Sequence, residues 1–206
     1  CTGSAAASSL SDAALALALA GGLAVGFCFL SMDVDTPLLA SELTGFVPAQ
    51  LWIVTLPSTG TMLLASVAIA RHYGVHWSVP ANTALAFATV AVASAVAADG
   101  STGSVASRVH LVVSASCLNV PGVVLMNTLS AVLSARCPCS GWIVAFQVSL
   151  QAGRTLAPLV LAAAMRRSGG ARYFWCAQCA AMWVTCGTLR CVWGTLYEAR
   201  GVDALM

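Results

Sequence analysis

Gln147, Gln151, Arg154 and Pro158 follow one another along a single uncharged stretch, spaced by four, three and four positions. At about 3.6 residues per turn, that spacing puts all four on one narrow face of a helix. Two amides and a guanidinium on one stripe can line a polar cavity, where Arg154 would grip a carbonyl or an anion through its planar fork of donors. Arg154 lies about twelve residues into its apolar run, roughly 18 Å along a helix and so near the middle of a membrane span. A structural role is the alternative: pinning two helices together through backbone carbonyls or a buried carboxylate. A second polar group comprises Asn119 and Asn127 with Pro121 and Gly122 between them. It predicts a broken or kinked helix whose freed backbone groups bind substrate or are satisfied by neighbours, a plain packing kink being the alternative. Thr55, Pro57, Ser58, Thr59 and Gly60 read the same way in an earlier run.

Other chemistry is thinner. His72 and His76 stand four apart beside a helix end, a spacing that could hold a metal, although loop histidines are ordinarily just solvated. Cys176 with Cys179, and Cys137 with Cys139, resemble metal or redox spacings, yet neither pair has a histidine beside it. Cys28, Cys117, Cys176, Cys179, Cys186 and Cys191 fall in apolar stretches, where a thiol behaves as a small hydrophobe. No metal and no cofactor is expected. The chain also lacks a G-x-S-x-G elbow, an H-E-x-x-H pair and a G-x-x-x-x-G-K-[ST] loop, so it reads as a non-enzyme.

The elements that would position these residues follow from composition. Of 206 residues, 8% are charged and 59% hydrophobic, with a mean hydropathy of +0.88. A soluble domain needs roughly 25% charged residues. The net charge of +2 comes from nine Arg with no Lys and no basic run, which speaks against nucleic acid as a partner. The Arg-only usage reads as genomic composition bias. Six uncharged or nearly uncharged runs cover residues 13–32, 51–70, 80–98, 108–136, 141–165 and 173–196, each long enough to cross roughly 30 Å of hydrocarbon. Aromatic residues stand at both ends of the last run, as at the two interfaces of a bilayer.

Residues 1–12 read as a linker, 13–200 as the bundle and 201–206 as a tail. Asp33, Asp35 and Glu42 read as an acidic connection between the first two runs. No Asp or Glu falls inside a run, so a carboxylate partner for Arg154, or a proton-carrying acid, is expected from chain outside this sequence. A start at Cys1 reads as a piece of a longer polypeptide. The expected fold is all-α, a polytopic bundle of about six transmembrane helices. The runs are too long and too uniformly apolar for alternating barrel strands. Gly22 and Gly26, four apart, should let two helices approach closely. Charge does not decide orientation, because alternating sides share the arginines four against four.

A family resemblance lies in the fourth and fifth runs. Asn127-Thr-Leu-Ser-Ala-Val-Leu-Ser-Ala-Arg-Cys-Pro138 leads into Gly141-Trp142 and then Gly153-Arg154-Thr-Leu-Ala-Pro158. About thirty residues here resemble the tenth and eleventh helices of major facilitator superfamily transporters, in particular the eukaryotic branch with lysosomal and SPX-linked members. The resemblance implies that the six runs are helices seven to twelve, the C-terminal half of a twelve-helix secondary transporter. It implies that the first, second, fourth and fifth runs surround a central cavity, with the third and sixth at the periphery. It also implies cytoplasmic termini, an acidic loop on the lumenal or outer side, and a lysosomal or vacuolar membrane. Arg154 and Pro158 would act in gating and helix packing. Partners would be the bilayer, a small solute, with anions favoured by Arg154, and either an N-terminal half or a second copy. In place of a Gly-x-x-x-Asp-Arg-x-Gly-Arg-like gating loop, the chain has Ala70-Arg71-His72-Tyr73-Gly74, without the Asp. The alternative function is a non-transporting multi-pass scaffold, packed through small residues with Arg154 sealed by protein contacts.

Overall fold

Apolar runs in lipid must satisfy their own backbone hydrogen bonds, and the helix does this within one segment. The computed structural model describes residues 12–71, 78–98, 104–136 and 140–198. They form seven α-helices: α1 (Asp12–Val25), α2 (Met32–Thr44), α3 (Trp52–Arg71), α4 (Ser78–Ala97), α5 (Val105–Arg136), α6 (Ser140–Ala164) and α7 (Gly170–Glu198). Among the described residues there is no strand. The fold is thus the all-α bundle that the composition requires. Residues 1–11 of the linker, the tail 201–206, the His72/His76 pair, the Cys137/Cys139 pair and the loop at 99–103 lie outside the described residues, while Asp12, the last residue of the expected linker, opens α1.

Among the described residues, four helical stretches are long and apolar enough to cross a membrane: Pro48–Ala68, Val79–Ala97, Val105–Ala131 and Gly141–Ala164. A fifth arises if Ala16–Leu30 and Met32–Thr44, bent by 48° at their junction, make one broken span. The sixth expected run is also helical, and α7 is 29 residues long. Arg172, Gln178 and Arg190 interrupt its apolar character, and it is not among those stretches.

Two expectations about breaks are corrected. The acidic segment from Asp33 to Glu42 is not a loop but most of α2. Its first turn carries Asp33 and Asp35, where unpaired N–H groups and the helix dipole favour negative charge. It ends at Gly45, whose φ of +66° is the left-handed conformation that closes helices. The Gly45 and Phe46 N–H groups bond the Ser41 and Ala40 carbonyls there. Conversely, α5 runs unbroken for 32 residues through Asn119, Pro121 and Gly122. The break lies in the first run, where a π-helical turn at Gly26–Leu30 precedes the bend at Ser31.

Small residues set the packing. α5 is the central helix, with 61% of its spanning window buried against 11% for α3, which lies at the rim. α5 packs on α3 and α4, α7 covers α4, and α6 lies on α1 and the π turn. Ala81, Ala84, Ala88, Ala91 and Ala95 recur at helical spacing and are all buried, forming the seam by which α4 enters the bundle. As Gly22 and Gly26 predict, α1 and α6 meet backbone to backbone. A Cβ on Gly26 would collide with the Leu150 carbonyl, and one on Gly153 with the Leu23 carbonyl and the Phe27 N–H. Apolar side chains gain little by leaving lipid, so such close approach is what holds helices together.

Candidate functional site

The stripe on α6 follows the expected periodicity, one residue along from the buried one. Phe146, Leu150, Ala157 and Leu161 are buried against the bundle. Gln147, Gln151 and Arg154 lie on the exposed side, with Pro158 half-buried at its edge. Arg154 has a carboxylate partner within this chain: its Nη2 donates to Asp33 Oδ2 at 2.5 Å, the side chains being 43% and 55% exposed. The expectation that the partner must come from outside this sequence is therefore wrong. Asp33 stands not in a connection but on the first turn of α2, which packs across α6. Only Nη2 of the guanidinium is engaged, and a guanidinium has five N–H donors, so Arg154 can still receive an oxygen ligand.

A second polar cluster, which the sequence reading missed, lies at the bend between α1 and α2. Gln178 on α7 is fully buried, and its Nε2 donates to Phe27 O at 2.9 Å, Ser31 Oγ at 3.2 Å and Asp35 Oδ2 at 3.1 Å. Ser31 Oγ also donates to Phe27 O at 2.6 Å. Ser31 and Asp35 are both buried. The amide from α7 thus binds both halves of the broken span. A signal was present in the sequence: Asp33 and Asp35 are two residues apart, about 200° around a helix, so they cannot share one environment.

Asn119 is buried on α5 and reaches the polar patch of α3, its Nδ2 donating to Ser58 O at 2.7 Å and Ser58 Oγ at 2.5 Å. These two predicted groups therefore meet each other and not the α6 stripe. Asn127 is half-buried on the same helix and has no side-chain hydrogen bond among the described residues. Elsewhere, Trp175 Nε1 donates to Ser114 Oγ at 2.9 Å inside the bundle. Arg108 bonds the Thr44 carbonyl at 3.4 Å and lies over the Phe46 ring at 5.1 Å, clamping the end of α2. A cavity of about 750 Å³ opens between the ends of α2, α4 and α5 and the α6–α7 turn, lined by Glu42, His110, Arg167, Arg172 and Trp175 among others. No residue of the α6 stripe lines it.

The described cysteines are free thiols; Cys28, Cys179 and Cys186 are buried. Cys176 Sγ donates to the Ala95 carbonyl, so this thiol contacts α4. Among the described residues no group of three or more His, Cys, Asp or Glu side chains could hold a metal.

The class that this fold defines is the multi-pass membrane protein, built from helices and closed by small residues. No family model, curated protein or solved structure matches the chain.

Proposed function

We propose that this chain is one half of a membrane secondary transporter, which moves a small solute by alternating access and is not an enzyme. The observation that carries this reading is the polar stripe of Gln147, Gln151 and Arg154, joined by Asp33, exposed midway along an otherwise apolar helix. Ionisable and amide groups at that depth face a water-filled cavity or protein, because lipid would leave them unsolvated. The broken span beside the stripe adds a polar bend of the kind found at midplane substrate sites. The opposite wall comes from an N-terminal half of the same transporter or from a second copy. The major facilitator resemblance supports the same architecture and supplies the lysosomal or vacuolar membrane as location. With Asp33 beside it, Arg154 supports an anionic solute only through its unused donors.

A second reading, the non-transporting scaffold, draws support from the Asp33 carboxylate already neutralising Arg154. Thiol accessibility separates the two. In membranes holding the native protein, Gln147→Cys and Gln151→Cys are each treated with a membrane-impermeant thiol reagent. Labelling that a transported solute slows supports transport. Cysteines inaccessible from both sides of the membrane overturn it in favour of the scaffold.

A further inference from the structure

We propose that Asp35 carries a proton in the folded protein, forming a neutral acid paired with the Gln178 amide. Both residues have 0% exposure. The Gln178 orientation follows from Phe27 O, which can only accept and so must face the NH₂ group, and this sets the same NH₂ against Asp35 Oδ2. That arrangement leaves two buried atoms without a partner on these same side chains, Asp35 Oδ1 and Gln178 Oε1. Both are acceptors and cannot satisfy each other. One proton on Oδ1 resolves both: the acid donates to Oε1 while Nε2–H donates to Oδ2, closing the cyclic pair that a planar carboxyl and a planar amide form. The same proton removes a charge that burial penalises heavily.

Among the described residues no cation is placed to do this instead. α2 packs against the π turn, α5, α6 and α7. On α6, Arg154 is engaged by Asp33. On α5, Arg108 bonds Thr44 O near the far end of α2, and His110 faces the cavity beside Glu42. On α7, Arg172 bonds Val96 O. The Cys28 and Cys179 thiols, on the π turn and on α7, are buried and bring no positive charge. Asp33, two positions away, repels a second negative charge. The inference rests on these contacts and not on the transport reading.

Infrared spectroscopy of the purified full chain in nanodiscs, at neutral pH and without sodium, tests it. A protonated carboxyl C=O stretch that shifts in D₂O should appear in the wild type and in Asp33→Asn, and be missing from Asp35→Asn. Asp35→Asn should also keep wild-type thermal stability, because its amide donates where the acid did. A wild type without the band overturns the proposal, as does a band that persists in Asp35→Asn. A band that sodium abolishes places a metal cation, not a proton, in the occupied state and overturns it as well. If Asp35→Asn does not assemble, Gln178→Leu decides: loss of the amide partner should raise the frequency of the band, and an unmoved band rules out the acid–amide pair.

Discussion

Arg154 Nη2 bonds Asp33 Oδ2 across 121 positions of sequence and ties the middle of α6 to the first turn of α2. The pair joins the polar stripe to α2, the second half of the broken span. Its two side chains remain about half exposed, which keeps the pair accessible to a solute and limits its contribution to stability.

A double-mutant cycle with Arg154→Gln and Asp33→Asn should give a coupling of about 0.2–1 kcal/mol, the range for exposed ion pairs. Thermal unfolding in detergent measures it. A coupling several times larger would mean that the pair is sealed from water, as the scaffold reading requires.

Gly26→Val and Gly153→Val should each destabilise the bundle by about 1–3 kcal/mol or more, because the new side chain has only backbone to displace. Gly60→Ala serves as the control, since nothing lies within 4 Å of the added Cβ. Equal unfolding temperatures for Gly153→Val and Gly60→Ala would refute the α1–α6 crossing.

Gly122 lies against the Phe29 ring, which occupies the place of any Cβ added there. Gly122→Ala should therefore lower stability. In the Phe29→Ala background the same change should cost less, with a coupling of about 0.5–3 kcal/mol between the sites. Strict additivity in the four unfolding curves would place the ring elsewhere.

Asn119→Ala should cost about 0.6 kcal/mol, and up to about 1.7, the range for side-chain hydrogen bonds between membrane helices. Ser58→Ala should cost less, because the Ser58 carbonyl still accepts from Asn119. The reverse order, measured by the same unfolding assay, would show that the hydroxyl and not the carbonyl is the principal acceptor.

Much of the bundle was legible in the residues. The apolar runs became helices because a backbone surrounded by hydrocarbon has no other partner within one segment. Gly22 and Gly26 announced a close crossing because only absent side chains permit one. The stripe of Gln147, Gln151 and Arg154 shares a face because helical periodicity is local. The break was misplaced for a physical reason. Pro121 removes one N–H from α5 but leaves the helix unbroken, packed between α3 and α4, whereas the first run widens into a π turn where α6 presses against Gly26.

Tertiary structure alone decided which groups meet. Arg154 finds Asp33, Gln178 finds Asp35 and Asn119 finds Ser58, across separations of 121, 143 and 61 positions. Spacing within a segment reports which face a residue occupies, and nothing about which helix lies opposite. That depends on the order and tilt of packing, where backbone contacts at Gly26 and Gly153 and the 48° bend at Ser31 set the level at which α2 crosses α6. The two acids of the first turn of α2 illustrate the division. Their spacing sends them to different sides, and only the neighbours present there make one an exposed ion pair and the other a buried partner of an amide.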